Sequence, residues 1–153
     1  MAMNALRSVE CRQATHADIG AMSRIRLAVR ENVLRDPARV TLQMYDDYLE
    51  RRGRGWVAIV DGQIVAFCYA DKTDSSIWAL FVLPDYEGLG LGRQLLALAV
   101  CWLFELGHDS VTLGTTPGTR ADRFYGHQGW TRGAPGGHEV HYRLERKAWR
   151  PAG

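Results

Sequence analysis

The run Ile77–Leu83 is apolar at all of its positions, and it constrains the fold more than any other segment of the chain. A strand with one face in water alternates apolar and polar side chains. An unbroken apolar run of this length is instead typical of a strand covered on both faces. The segment therefore predicts a central strand of a sheet, which ends at Pro84.

A glycine-rich turn, Asp85–Gly92, follows this strand, and an apolar helix that we expect to reach about Leu106 follows the turn. The first N–H groups of a helix have no partners within the helix, and the helix dipole adds partial positive charge there. Glycines at positions 88, 90 and 92 would let a phosphate approach the main chain without meeting a Cβ atom. The pattern favours an anion-binding turn over the alternative, a plain strand-to-helix connection.

The spacing of these glycines excludes two common nucleotide-binding motifs. The residue three positions after Gly90 is Arg93, and the residue three positions after Gly92 is Leu95, so the dinucleotide pattern G-x-G-x-x-G is absent. No Gly-Lys-Ser/Thr sequence is present either, which excludes the phosphate loop of nucleotide hydrolases.

The remaining segments predict a mixed α/β fold that is not doubly wound. Before the central strand we expect a strand at 8–13, a helix that starts at Thr15 and stops before Asp36–Pro37, and a helix at 41–52 that ends at Gly53 and Gly55. Strands at 56–60 and 64–70 then follow, joined by a hairpin turn at Asp61–Gly62. After the central strand and the helix to 106, we expect a strand at 111–114, a short helix capped by Thr119, and strands at 130–132 and 139–144. We expect one domain over 8–146, with short tails at 1–7 and 147–153.

Composition narrows the function classes. The chain has 153 residues with 19 basic and 17 acidic side chains, so its formal net charge of +2 does not indicate a nucleic-acid-binding protein. Its longest uncharged run, residues 94–104, is far shorter than the roughly 20 residues that span a bilayer. The N-terminus lacks the apolar segment of a signal peptide. We therefore expect a cytoplasmic protein without nucleic-acid or membrane partners.

Cysteine and histidine spacing argues against a metal site. Cys11, Cys68 and Cys101 are odd in number, form no C-x-x-C pair and lie in apolar runs, so we expect reduced core residues. His138 and His141 would face opposite sides of the last strand, because side chains alternate along a strand. We therefore expect no metal site.

Two blocks of sequence resemble the GCN5-related N-acetyltransferase (GNAT) family. The first, Leu80-Phe81-Val82-x-Pro84-x-x-Glu87-Gly88-x-Gly90-x-Gly92, resembles the acetyl-CoA-binding pattern Gln/Arg-x-x-Gly-x-Gly/Ala that follows a strand ending in valine. The second, Ala121-x-x-Phe124-Tyr125-x-x-x-Gly129-Trp130, resembles the later Ala-x-x-Leu-Tyr-x-x-x-Gly-Phe. The element order also matches over residues 8–146, which implies a central, mostly antiparallel mixed sheet flanked by helices.

Two positions depart from the family pattern. Glu87 stands where the family usually has glutamine or arginine, and an acid beside a pyrophosphate is unfavourable unless its side chain is directed elsewhere. Gly118 stands where many members have asparagine, so that either Thr116 or Thr119 would replace the missing polar group, or a cofactor contact is lost.

The resemblance implies direct acetyl transfer from acetyl-CoA to an amine within one ternary complex. The N–H of Phe81 or Val82 would polarise the thioester carbonyl, and Tyr125 would protonate the leaving thiolate, unless Tyr125 only packs on the sheet with its hydroxyl bonded locally. The implied cofactor-binding residues are Leu80, Phe81, Val82, Glu87, Gly88, Leu89, Gly90, Leu91, Gly92 and Arg93.

The acceptor in this family usually sits between the first two helices and the last hairpin. The implied acceptor-binding residues here are Arg30, Glu31, Asn32 and Arg120, with the arginines suited to a carboxylate or phosphate and Glu31 to a cation. Candidate proton acceptors are Glu31, His138, Glu139 or water. We expect a small amine as partner and consider a homodimer. The alternatives are a non-catalytic acyl-CoA-binding or regulatory module and an RNA-directed acetyltransferase.

Overall fold

The computed structural model describes residues 8–29, 52–134 and 138–149. The strands in this part of the chain are β1 (Val9–Gln13), β2 (Gly53–Val60), β3 (Gln63–Asp71), β4 (Ser76–Val82), β5 (Ser110–Thr115), β6 (Thr131–Arg132) and β7 (Val140–Glu145). The α-helices in it are α1 (Ile19–Ala28), α2 (Leu91–Glu105) and α3 (Arg120–His127). Short 3-10 turns cover His16–Asp18, Pro84–Tyr86 and Arg146–Ala148.

The strands form one mixed sheet in the order β1-β2-β3-β4-β5-β7-β6. The neighbouring strands are antiparallel except for β4 and β5, which run parallel. The apolar strand β4 lies in the middle of the seven, as its sequence predicts. This confirms the expected fold class, a mostly antiparallel mixed sheet flanked by helices.

Both faces of the sheet are covered, which explains the unbroken apolar run in β4. On one face, Leu95 and Leu103 of α2 pack in a core that also holds Tyr125 of α3. On the other face, Met22 of α1 packs in a second core with Phe81. The fold is therefore a helix–sheet–helix sandwich, with α2 and α3 on one side and α1 on the other.

Local turn chemistry agrees with the sequence at two predicted positions. The hairpin between β2 and β3 has positive φ at Asp61 (50°) and Gly62 (84°), as a tight two-residue turn of type I′ requires. At the start of α3, the Thr119 hydroxyl oxygen accepts a hydrogen bond from the Asp122 N–H at 3.2 Å. Both predicted signals therefore mark real element boundaries.

Two predicted boundaries are wrong. The first helix ends at Ala28 rather than near Asp36, because Val29 takes an extended backbone (φ −85°, ψ 111°) and packs against the α1-side core. Strand β2 begins at Gly53, not Trp56, because β3 is long enough to pair with Gly53 through Asp71. Glycines predicted to end a helix therefore lie inside a strand. The predicted helix over 41–52 falls outside the described residues, except for Arg52.

The three cysteines differ in burial. Cys68 is fully buried, which confirms its predicted place in the core. Cys11 and Cys101 are only partly buried, so the prediction of a core position is not met in full for them. Their thiols donate hydrogen bonds to the side-chain oxygens of Gln94 and Glu105, respectively. Among the described residues, no three His, Cys, Asp or Glu side chains are arranged to hold a metal ion. No helix of the described segments has the length and apolar character to cross a bilayer.

Candidate active site

The site lies where the two parallel strands separate. Strands β4 and β5 are in register only at Ser76 and Thr112, next to a hydrogen bond from the Thr112 N–H to the Ser75 carbonyl at 3.0 Å. A cleft of about 340 Å³ opens beside the end of β4. Its described lining is Val29, Leu80, Phe81, Val82, Tyr86, Glu87, Gly88, Gly90, Leu91, Gly92, Arg93, Arg120, Ala121, Phe124, Tyr125 and Gln128.

The end of β4 directs alternate peptide groups toward β3 and toward the cleft. The Leu83 N–H donates to the Val65 carbonyl at 2.9 Å, which makes Leu83 and Val65 a hydrogen-bonded pair of the antiparallel ladder. Hydrogen-bonded and non-hydrogen-bonded pairs alternate along such a ladder, so the next hydrogen-bonded pair is Phe81 with Phe67. The peptide groups of Leu80 and Val82 then point to the other edge, where β5 has separated. Of the two predicted carbonyl-polarising donors, Val82 has the suitable direction and Phe81 does not.

The glycine-rich turn fits close approach by an anion. Gly88 and Gly90 have φ of +85° and +80°, values that residues with a Cβ atom rarely adopt. Gly90 is the residue just before α2. A Cβ at Gly92 would meet Phe124 Cζ at 3.7 Å and Val82 Cγ2 at 3.8 Å. The main chain at the N-terminus of α2 therefore lines the cleft, and the one neighbour that a Cβ at Gly90 would meet is the Arg93 guanidinium, at 3.5 Å.

Tyr125 enters the cleft from α3 and is held by aromatic neighbours. Its ring centroid lies 5.2 Å from that of Phe124, 5.7 Å from that of Tyr142 and 6.0 Å from that of Trp130. Burial, with a smaller effect of the Cys68 thiol, raises the pKa of the Tyr125 hydroxyl well above its usual value. Within the described residues this hydroxyl has no hydrogen-bond partner, although it lines the cleft. The alternative of a locally bonded hydroxyl therefore has no support in the described contacts.

Asp122 joins the elements around Tyr125, and the sequence indicates only its position in a helix cap. Its carboxylate binds the guanidinium of Arg132 at 3.0 and 3.1 Å, and it also accepts hydrogen bonds from the Tyr142 hydroxyl and from the Gly118 N–H at 2.9 Å. Arg132, followed by Tyr142 and Gly118, holds the pKa of Asp122 well below its usual range. The cluster connects α3 to β6, β7 and the loop before the helix.

The two departures from the family pattern have local explanations. Glu87 Oε2 lies 3.2 Å from Arg120 Nε, so its charge is paired beside the turn. Gly118 has φ +79°. The Thr119 hydroxyl, which could have replaced an asparagine there, donates to the Thr116 carbonyl at 2.8 Å and caps α3. Thr119 is therefore occupied by local hydrogen bonds.

The predicted acceptor residues are only partly covered by the structure. Arg30, Glu31 and Asn32 lie outside the described residues. Arg120 lines the same cleft as the glycine-rich turn. Glu139 and His141 are exposed, with 3.8 Å between Glu139 Oε2 and His141 Nε2. Val140 and Tyr142 are buried in the core on the α2 and α3 side of the sheet. Because side chains alternate along a strand, Glu139 and His141 lie on the opposite face, the α1 side.

The comparisons with known proteins agree with this geometry. The sequence model of the acetyltransferase (GNAT) family matches residues 18–130. A relative from Prochlorococcus marinus, described as an uncharacterized N-acetyltransferase ycf52-like, is 36% identical over 67 residues. That match covers 43% of this chain and 36% of the relative, so the chain spans about a third of the length of the curated relative that it matches.

Solved structures share the fold over nearly their whole length. The paia N-acetyltransferase of Thermoplasma acidophilum, in complex with coenzyme A, superimposes with a TM-score of 0.80 at 13% identity, covering 90% of this chain and 99% of that one. A putative GNAT acetyltransferase of Desulfovibrio desulfuricans gives 0.76 at 22% identity, with the same coverage. A putative streptothricin acetyltransferase of Bacillus anthracis, in complex with acetyl coenzyme A, gives 0.70 at 18% identity, again covering 90% and 99%.

Proposed function

Because the chain belongs to the GNAT acetyltransferase family, we propose that it transfers the acetyl group of acetyl-CoA directly to the amine of a small acceptor, with both substrates bound at once. The observation that carries the proposal is the cleft beside the end of β4. It brings together an outward peptide group at Val82, a glycine-rich turn before α2 and the hydroxyl of Tyr125. These are the groups that a thioester, a pyrophosphate and a leaving thiolate require.

The main chain from Glu87 to Arg93 would hold the pyrophosphate. Positive φ at Gly88 and Gly90 turns the backbone into the start of α2, where unpaired N–H groups and the helix dipole favour an anion. Arg93, in the first turn of the helix, lines the cleft and adds positive charge. Two structures of the same fold are complexes with coenzyme A and acetyl coenzyme A, which supports acetyl-CoA as the ligand.

The Val82 N–H would stabilise the negative charge that develops on the thioester oxygen. A backbone donor fixed in a strand is already oriented, so it costs no reorganisation when the charge appears. Tyr125 would then donate its proton to the sulfur that leaves. Because burial raises the pKa of the Tyr125 hydroxyl, it remains protonated throughout the neutral range and is available as a donor.

We propose Glu139 as the group that takes the proton of the acceptor amine. Val29 and Phe81, which belong to the α1 side of the sheet, both line the cleft, and Glu139 is exposed on that same side, outside the cleft lining. Glu139→Gln should lower the rate at neutral pH, and the rate should recover as pH rises because the solution then supplies more neutral amine. The control is Glu145→Gln, since Glu145 is a carboxylate at the other end of β7, where it pairs with Arg143 at 2.6 Å. Equal effects of the two variants would remove Glu139 from the reaction.

A CoA-release assay over pools of amines, amino acids, polyamines and aminoglycosides tests the proposed activity. We expect at least one pool to release CoA above the hydrolysis background. In the same preparation, acetyl-CoA should raise the melting temperature, because binding to the native state stabilises it by roughly 2.7 kcal/mol at a hundredfold excess over the dissociation constant. NAD is the control ligand and should have no such effect.

The two readouts separate the proposed enzyme from the non-catalytic alternative. Stabilisation by acetyl-CoA without CoA release from any pool would favour an acyl-CoA-binding module. Stabilisation by NAD and not by acetyl-CoA would contradict the cofactor assignment itself.

A further inference from the structure

An ion pair connects two walls of the cofactor cleft. Glu87 follows the 3-10 turn after β4, Arg120 is the first residue of α3, and the pair joins Arg120 Nε to Glu87 Oε2 over 3.2 Å. Both residues line the cleft, and their side chains are 31% and 55% exposed, respectively. The pair therefore lies in water-accessible space beside the turn that is proposed to hold a pyrophosphate.

The two charges of this pair have opposite effects on a phosphate ligand. The Glu87 carboxylate repels an anion in the cleft, whereas the Arg120 guanidinium attracts it. Exposed ion pairs contribute little net stability, so the loss of such a pair is easily offset. A guanidinium–phosphate contact is charge-assisted and can be bidentate, which makes it stronger than an exposed contact with one carboxylate oxygen.

We propose that Arg120 leaves Glu87 and binds a phosphate oxygen of the acyl-CoA, and that Glu87 competes with the cofactor for this guanidinium. The inference rests on the proposed function and deepens it. It assigns Arg120 to the cofactor rather than to the acceptor. It also gives the departure at Glu87 a role, because an acid at this position lowers affinity for any ligand that needs Arg120.

The proposal predicts opposite signs for two charge-removing variants. Arg120→Gln should weaken acetyl-CoA binding by about tenfold or more, because it removes a hydrogen bond to a charged group. Glu87→Gln should strengthen acetyl-CoA binding by about two- to fivefold, because it removes a competing exposed ion pair. Isothermal titration calorimetry of the full chain with acetyl-CoA measures both, and circular dichroism checks that each variant is folded.

Two controls separate a phosphate contact from a general effect of charge. Asp85→Asn removes a carboxylate from the same turn, at an exposed residue that is absent from the cleft lining, and should leave the affinity within about twofold. The second control is the ligand S-acetylpantetheine, which carries the thioester without phosphates and is measured by competition with acetyl-CoA. Its affinity should be the same in the parent, Arg120→Gln and Glu87→Gln.

The outcomes distinguish this inference from the proposed function. Weaker acetyl-CoA binding in both Glu87→Gln and Arg120→Gln would show that the intact pair supports the site, and would overturn the exchange. Equal strengthening by Asp85→Asn and Glu87→Gln would also overturn it. Failure of the parent chain to bind acetyl-CoA at all would contradict the proposed function together with the inference. Arg120→Lys should recover part of the lost affinity, since it restores the charge without the bidentate geometry.

Discussion

Tyr125 combines a fixed ring with a hydroxyl that lines the cleft, so its two parts can be separated by substitution. Tyr125→Phe keeps the ring among Phe124, Trp130 and Tyr142 and removes one oxygen. We expect turnover to fall by roughly 10²–10⁴-fold, the usual effect of losing a positioned acid. The dissociation constant of acetyl-CoA should change little, because the acid acts mainly in the transition state.

Steady-state kinetics and cofactor titration on the same folded variant provide the measurement. Because burial raises the pKa of the Tyr125 hydroxyl well above its usual value, the rate of the parent should not fall through ionisation of this group in the neutral range. Turnover of Tyr125→Phe within about threefold of the parent would show that Tyr125 only packs, because that margin is far smaller than the effect of a lost acid.

Asp122 is expected to link stability to acid pH. Its pKa is held below the usual range by Arg132 first and then by the Tyr142 hydroxyl. A carboxyl with a lowered native pKa stabilises the fold above its unfolded pKa of about 3.9, and this stability is lost as pH falls below that value. Asp122→Asn should therefore be less stable than the parent near pH 7, and the difference should shrink toward pH 3.

Denaturant unfolding of the parent and Asp122→Asn at several pH values measures this difference. Asp85→Asn is the control for loss of an exposed carboxylate. A constant difference in the free energy of unfolding from pH 7 to pH 3 would contradict the role of the Asp122 charge. Because the Asp122 cluster holds Gly118 and α3, we also expect a lower kcat in Asp122→Asn even where the variant is folded.

At the scale of elements, the turn between β4 and α2 has an unusual backbone conformation and also lines the proposed cofactor cleft. Gly90→Val should abolish acetyl-CoA binding, because a branched side chain would occupy the cleft and strain a positive φ. Gly107→Val is a matched control, since Gly107 has φ +103° at the other end of α2 and no atoms close to an added Cβ. Calorimetric titration should be flat for Gly90→Val and normal for Gly107→Val, with native circular dichroism in both.

A Gly107→Val variant that also fails to bind acetyl-CoA would mean that helix strain, and not the added side chain in the cleft, causes the loss. Normal binding in Gly90→Val would mean that the turn is only a connector.

The elements that the sequence predicts well are those fixed by local chemistry. The segment Ile77–Leu83 indicates a buried strand because no polar side chain interrupts it. The pair Asp61–Gly62 indicates a hairpin turn because a type I′ turn needs positive φ at two successive residues, and few residue types tolerate it. The wrong boundaries depend on distant partners. Gly53 joins β2 only because Asp71 is available across the ladder, and Val29 leaves the helical conformation where it packs against the α1-side core.

In the candidate site, too, the sequence predicts the features that local motifs carry and misses the contacts between distant residues. The glycine-rich turn and Tyr125 are visible as spaced residues that resemble a family motif. The Glu87–Arg120 pair and the Asp122–Arg132 pair are not, because their members lie 33 and 10 positions apart and no local pattern links them. Only the approach of α3 to the turn and to β6 brings these charges together.

For the whole molecule, family membership and fold rest on agreement between sequence, topology and similar structures. The domain limits of 8–146, the cytoplasmic location, the small amine as acceptor and the homodimer stay predictions. Size-exclusion chromatography with light scattering checks the last of these directly. The identity of the acceptor stays a prediction because residues 30–51 and 135–137, which contain most of the expected acceptor region, fall outside the described residues.

The separation of β4 from β5 also divides the amide protons of one strand into two populations. The Phe81 amide faces β3 and should exchange slowly with deuterium, whereas the Leu80 and Val82 amides face the gap and should exchange fast in the free protein. Acetyl-CoA should slow exchange at Val82 and leave Phe81 unchanged, which residue-resolved NMR can record. Central strands usually have the most protected amides of a sheet. Here, the Val82 amide at the end of the central strand should instead report on occupancy of the cleft.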